Sequence, residues 1–316
     1  MTMRVYYATD IHGSEVCWRK FLNAGRFYGA DILIMGGDVS GKAVIPIVSR
    51  PGGGYLIRQL TGNKVLTAAD VSQAETRIRD MGSYPYRTTD EELDETWDQP
   101  AAVKAVFMSL MRETLARWLD LAEQRLAGTG IRLYIMTGND DPPELREMLR
   151  ESPSVTETEG QLIELGEGIT MISCGWSNRT PWNTPREMDD DELEQRIEKL
   201  AAEVPRPERA VFNLHVPPAR TAIDRAPALD DSLKPVVKGG AVVMESVGSE
   251  GVRRVLERHQ PMLGLHGHIH ESRGAVRLGR ALAINPGSEY GDGILRGALL
   301  ELDAGHGIRS YQLPAG

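Results

Sequence analysis

The sequence predicts an α/β fold in which two packed sheets carry helices on their outer faces. Three observations lead to it. In the first half of the chain, apolar strands alternate with helical patterns, the rhythm of strands joined by crossover helices. In the second half, short apolar strands follow one another closely. Polar residues also gather just past the carboxyl ends of strands, where open α/β sheets place their ligands. The 316 residues, 41% hydrophobic and 26% charged, supply ample core for such a fold.

The elements follow in order. Residues 4–9 read as a strand rich in Val and Tyr, stopping at Asp10-Ile11-His12-Gly13. A helical pattern follows through Val16, Phe21, Leu22 and Phe27. Residues 31–35 form a second strand, ending in Gly36-Gly37-Asp38. A long gap then opens with Arg50-Pro51-Gly52-Gly53-Gly54. Within it, residues 55–60 and 64–67 flank Thr61-Gly62-Asn63 as a hairpin turn. Residues 70–81 read as a helix, and 89–98 as an acidic stretch facing solvent. A long amphipathic helix runs from Ala101 to about Ala127, with Val103, Val106, Phe107, Leu110, Met111, Trp118 and Leu119 on one side. Residues 41–100 therefore read as a subdomain inserted into one domain spanning 1–316. Residues 131–136 are the next strand, ending in Thr137-Gly138-Asn139-Asp140. Strands are expected at 162–165, 169–174, 210–214, 262–265, 281–284 and 298–302, with helices at 189–202 and 245–259.

The formal net charge of -9 argues against broad electrostatic binding of nucleic acid or anionic membrane. It leaves room for a small anionic substrate, because a bound metal can invert the local field. Cys17 and Cys174 lie far apart and supply no disulfide framework. No run of about 20 apolar residues is present, and the start lacks a signal-peptide core and cleavage site. The expectation is a soluble, cytoplasmic protein without a membrane partner.

Seven histidines occur, and His12, His215, His268 and His270 stand in conspicuous places. His12 is two residues after Asp10, His215 closes an apolar strand, and His268 and His270 alternate. Asp38 and Asn139 add oxygen donors at further strand ends. Borderline metals such as Mn, Fe and Zn take imidazole and oxygen ligands together. An Asp-x-His or His-x-His pair leaving a strand should put both side chains on one side. Singly, each piece has an ordinary reading. Asp10 and His12 suit a helix cap and a loop histidine, Gly37-Asp38 and Gly138-Asn139 suit turns, and His215 suits a loop before Pro217. Their joint occurrence, each at a strand end, is far more specific.

Taken together, Asp10-x-His12, Gly37-Asp38, Gly138-Asn139-Asp140-Asp141, His215 and Gly267-His268-Ile269-His270 resemble the motif set of the calcineurin-like metallophosphoesterase superfamily. Asn285-Pro286-Gly287-Ser288 also resembles a turn late in that family. The resemblance implies an α/β four-layer α-β-β-α sandwich of two mixed sheets, here with the lid-like insertion at 41–100. It implies two divalent metal ions: one held by Asp10, His12, Asp38 and His270, the other by Asp38, Asn139, His215 and His268, with Asp38 bridging. A hydroxide between the metals would attack phosphorus in a small phosphate ester. Metal identity stays open among Mn, Fe and Zn, with manganese among the expectations, and oligomeric state stays open. A phosphodiesterase is the leading reading. A phosphomonoesterase or nuclease of the same fold, or a non-catalytic scaffold, are the alternatives. No basic, aromatic-lined stretch supports an extended nucleic-acid track.

One position departs from the family. Asp140 stands where a histidine commonly contacts substrate and protonates the leaving group. An ionised carboxylate there is a poor general acid, and it should repel dianionic monoesters more than monoanionic diesters. Asp38, Asn139 and Asp140 are the expected catalytic residues. For His266 the expectation is a packed or supporting role beside His268 and His270. The loop 175–185 offers Trp176, Arg179 and Trp182 either as substrate contacts, with Arg179 on a phosphate, or as a loop pinned by two tryptophans. Lys42, Arg58 and Lys64 read as isolated, solvated charges.

Overall fold

A computed structural model describes residues 2–51, 53–57 and 64–316. Two six-stranded mixed sheets face one another. In the first, Thr2–Ala8, Ile32–Gly36, Arg132–Met136 and Thr156–Glu157 run parallel. Ala298–Asp303 and Gly307–Gln312 close its other edge antiparallel. In the second, Ile169–Cys174, Ala210–Leu214, Leu263–Leu265 and Ala281–Asn285 run parallel. They lie between the antiparallel edges Leu162–Gly166 and Gly274–Leu278.

Alternation along the strands builds the layers. Met3, Val5, Tyr7, Ile32 and Ile34 meet Met171, Val211, Leu263 and Ile284 between the sheets. Their neighbours Tyr6, Ala8, Leu33 and Met35 turn outward, onto the helices Glu15–Tyr28 and Pro100–Leu126. There the indoles of Trp18 and Trp118 stack at 5.0 Å. On the far side, Ile172, Phe212 and Leu214 pack on Leu193, Ile197, Val252 and Val255 of the helices Asp190–Ala201 and Glu250–His259. The result is the four-layer α-β-β-α sandwich. Ile32-Leu33-Ile34-Met35 is apolar at every position because both of its faces are covered. Among the described residues, no helix is long and apolar enough to cross a membrane.

The chain leaves this core just after Asp38 and builds a separate four-stranded sheet from Ala43–Ser49, Tyr55–Ile57, Lys64–Leu66 and Ser83–Thr88. The helix Val71–Asp80 helps close a small core of Ile47, Ile57, Leu66, Val71 and Ile78. The expected turn at 61–63 lies outside the described residues.

Three local readings change. The strands at 43–49 and 83–88 escape the sequence pattern because Pro46 and Pro85 interrupt them, and proline demotes a strand reading. The acidic stretch at 89–98 is largely the helix Asp90–Trp97. Thr89 and Glu92 form its capping box, and Leu93 is buried, so it does not simply face solvent. The last α-helix starts at Glu250, not at 245, because Met244–Ser246 pairs with Arg225–Pro227 and Ser249 supplies the cap.

The insertion meets the core through bare backbone. A Cβ on Gly41 would stand 2.6 Å from the Gly82 carbonyl oxygen, and one on Gly82 would stand 2.3 Å from the His12 carbonyl oxygen. The Ser14 hydroxyl donates to the Asp80 carbonyl at 2.6 Å across the same seam. Gly82 (φ +82°) and Gly53 (φ +94°) both lie in the left-handed region, but Gly53 has open space around its missing Cβ. Alanine at either position carries backbone strain of about 1–2 kcal/mol. Only Gly82→Ala adds a clash with fixed backbone, at about 1–3 kcal/mol. Denaturant unfolding should therefore show Gly82→Ala as the more destabilised by about 2 kcal/mol. Equal losses would mean that the seam yields freely.

Candidate metal centre

The backbone past the strand ends does the positioning. Asp10 N–H donates to the Gly37 carbonyl at 3.0 Å, His12 N–H to the Asp38 carbonyl at 3.0 Å and Gly13 N–H to the Val39 carbonyl at 2.8 Å. The two loops thus run on side by side where the strands have stopped. In the second sheet, Gly267 N–H donates to the His215 carbonyl at 2.8 Å. Asp10, His12, Asp38 and His268 have φ of 53°, 39°, 51° and 66°. Non-glycine residues in this region carry strain and cluster at functional sites. These turns, not strand alternation, direct Asp10 and His12 and, in the other sheet, His268 and His270 to the site, because the strands end at Ala8 and Leu265.

Two groups of donors result. Asp10, His12 and His270 form the first, and Asp38, His215 and His268 the second; within each group the donor atoms lie within 4.8 Å of one another. His270 Nε2 is 3.4 Å from Asp10 Oδ1, and His12 Nε2 is 3.1 Å from His270 Nε2. His215 Nε2 is 3.4 Å from Asp38 Oδ2, which is 3.6 Å from His12 Nε2. Asp38 thereby sits between the groups. His12 and Asp38 also share a third cluster with Asp140.

This donor set fits divalent cations. The buried atoms His215 Nε2 and Asn139 Oδ1 have no hydrogen-bond partner. Such orphans are rare and costly unless something satisfies them. His215 Nδ1 lies 2.8 Å from the Gly36 carbonyl, an acceptor only, so Nε2 is the atom turned toward the carboxylates. Burial alone would lower the His215 imidazole, but the Asp38 and Asp10 carboxylates raise it to about 10. Burial would likewise raise Asp38, yet His215 and His12 hold it well below the usual carboxylate range. The centre is a place built to hold positive charge.

Supporting contacts fix each donor. Thr9 Oγ1 donates to Asp10 Oδ2 at 2.7 Å, and His268 N–H donates to the same carboxylate at 3.0 Å. Asn139 Nδ2 donates to Thr184 Oγ1 at 2.8 Å, which sets the amide so that Oδ1 is the free end. Thr184 in turn donates to Glu187 Oε1 at 2.7 Å. Asp141 is buried and accepts from the N–H groups of Val39, Ser40 and Gly138, clamping the Asp38 loop to the Asn139 loop. Asn285 Nδ2 donates to the Ile269 carbonyl at 2.9 Å, and Ser288 Oγ to the Asp10 carbonyl at 2.7 Å, so the late Asn-Pro-Gly-Ser turn ties the two halves together. Asp141 stood within the Gly-Asn-Asp-Asp motif. Thr184 and the buried Arg186, which holds Glu159 at 3.0 Å and also bonds Thr137 and the Gly138 carbonyl, carry no local signal.

His266 is buried, as expected of a packed, supporting residue: its Nδ1 lies 2.8 Å from the Leu214 carbonyl and 3.1 Å from that of Val216, bracing the strand end that carries His215. Two readings need correction. Arg179 is exposed and pairs with Asp189 at 2.9 Å, and Trp182 is 60% exposed, so only Trp176, against Arg186 and Arg196, pins the loop. Lys42 is not an isolated charge. Its Nζ lies 2.7 Å from Asp140 Oδ2, itself 3.9 Å from His12 Nδ1. That pair offsets part of the repulsion that Asp140 was expected to exert on dianionic esters.

No family model matches the chain. An uncharacterized protein, MJ1162, from Methanocaldococcus jannaschii is 28% identical over 159 residues, covering 49% of this chain and 64% of that protein. The match thus spans less than two thirds of that relative. One solved structure, at 15% identity, covers 99% of both chains with a TM-score of 0.56. TT1561 of Thermus thermophilus, at 12% identity, covers 100% of this chain and 99% of that one with a TM-score of 0.53. These likenesses establish the shared fold.

If Thr184 orients Asn139, Thr184→Val should weaken metal binding about 10–100-fold, since partners that orient ligands typically matter by that much. Calorimetric titration with Mn²⁺ would read it. Wild-type affinity in a folded Thr184→Val protein would show that Asn139 needs no such support.

Proposed function

We propose that this chain, which has the fold of the calcineurin-like metallophosphoesterases, is a binuclear metal-dependent hydrolase of small phosphate esters. One observation carries the reading: two donor groups, each with a buried carboxylate and two imidazoles, share one mouth at the carboxyl ends of both sheets. Asp10, His12, Asp38 and His270 would hold one divalent ion, and Asp38, Asn139, His215 and His268 the other. Bound there, such ions supply Lewis-acid charge to phosphoryl oxygens and activate water as the nucleophile.

The chain's own residues do the rest. Asp38 fixes the loops toward each other, accepting from Asp140 N–H at 3.0 Å. Asp140 is held by Lys42 and faces the His12 ring. We read the carboxylate at 140 as a poorer proton donor than the histidine of the family, so an unassisted leaving group has to be a good one. The phosphodiesterase reading rested on Asp140 repelling a second substrate charge. With Lys42 in place that repulsion is weaker; the diester preference stays part of this proposal, and leaving-group acidity is the property that tests the role of Asp140. The insertion, rigidly docked beside His12, is read as a wall or lid that limits substrate size.

Two measurements test this. Asp38→Ala should abolish hydrolysis of a chromogenic ester, by at least about 10³-fold, and lower bound metal, while His268→Ala should be severely impaired. Near wild-type turnover with full metal content in Asp38→Ala would remove the binuclear reading and favour a scaffold. Separately, kcat/KM should rise steeply with leaving-group acidity across aryl and alkyl esters. Asp140→His should help poor leaving groups most, by up to about 10²–10⁴-fold. A flat dependence in wild type, with Asp140→His only losing activity, would show that Asp140 already acts on the leaving group.

A further inference from the structure

Beside the metal centre, an open groove of about 510 Å³ lies between the insertion and the long helix Pro100–Leu126. Lys42, Val44 and Trp97 line one wall, and Val103, Lys104 and Phe107 the other. Val103 and Phe107 are one helical turn apart and share a face. Trp97 is 37% exposed, and its ring stacks at 6.3 Å on that of Tyr86. Among the described residues, no carboxylate lines the groove, although the chain carries a net charge of -9. Two lysines do. One of them, Lys42, belongs to both places, because its ammonium contacts Asp140 at 2.7 Å and Asp140 reaches His12. The groove and the candidate catalytic centre therefore share one residue, Lys42.

We propose that this groove is the leaving-group site, and that the leaving group it takes is a planar aromatic ring system. The inference rests on the hydrolase reading and deepens it. In hydrolysis the water oxygen bonds to phosphorus, the bond from phosphorus to the aryl oxygen breaks, and that oxygen departs with the electron pair. Lys42 stands at the junction where the departing oxygen is negative, and Trp97, Val103 and Phe107 cover the ring behind it. Flat rings on an aromatic face gain area burial and favourable stacking, and a lysine over an aromatic anion gains charge attraction without needing a fixed geometry. An aromatic leaving group is also the kind that departs readily without the missing histidine.

The test uses the full metal-loaded chain and two esters of one phosphate, phenyl and 2-naphthyl, whose leaving groups are of nearly equal acidity. Wild type should favour the naphthyl ester about tenfold in kcat/KM, the effect of burying one more ring. Val103→Glu, which puts a carboxylate into the groove, should bring the ratio close to one, and Trp97→Ala should lower it in the same direction. Metal content and melting midpoint check that each variant folds. Calorimetry with naphthalene-2-sulfonate gives a second readout that needs no turnover: one saturable site in wild type, weakened at least tenfold in Val103→Glu. A flat ester ratio in wild type with no sulfonate binding would overturn the groove and leave the hydrolase reading standing. Sulfonate binding lost in Val103→Glu, with no ester hydrolysed under any metal, would overturn the leaving-group role and the hydrolase reading, leaving only an aromatic-anion site.

Discussion

Two carboxylates, Asp10 and Asp38, are almost wholly buried within reach of the same imidazoles. Like charges taken out of water are expensive, and in proteins they persist only where cations answer them. Much of the architecture around the site follows from that constraint. It accounts for four histidines at one edge, for the orphaned His215 nitrogen turned toward the carboxylates, and for left-handed backbone at Asp10, His12, Asp38 and His268. Strain of that kind survives only where surrounding structure determines it. Here the surroundings are the ladder between the two loops, the Asp141 clamp and the Asn285 turn.

The sandwich supplies the rigidity. Both sheets point their parallel strands toward one edge, so donors far apart in sequence converge without long loops. Asn139 shows how far the support reaches. Its amide is set by Thr184, which is set by Glu187, and the same segment carries Arg186 under the Gly138 carbonyl. The insertion joins this frame through backbone contacts at Gly82 and through the Lys42–Asp140 pair. A subdomain fixed that closely to His12 fits the proposed role of a wall or lid at the approach to the centre.

The sandwich and the donor set were legible in the sequence because each left a local mark. Apolar strands such as Ile32–Gly36 and Ala210–Leu214 stop just before Asp38 and His215, residue types that ligate metals. What stayed hidden depends on contacts between distant residues. Lys42 looked solvated because its partner is 98 positions away, and Thr184 looked like any loop threonine. Proline concealed two strands of the insertion, since a pairing that tolerates Pro46 and Pro85 cannot be read from residue type alone. Arg179 drew attention as a free guanidinium, but Asp189 ten residues on already holds it.

The central claim is that one carboxylate joins two metal positions. Electron paramagnetic resonance of the protein loaded with Mn²⁺, together with the metal-to-protein ratio, tests it most directly. The account predicts two ions per chain and an exchange-coupled signal, with the coupling lost in Asp38→Asn. A single ion per chain with the spectrum of isolated Mn²⁺, unchanged in Asp38→Asn, would contradict it.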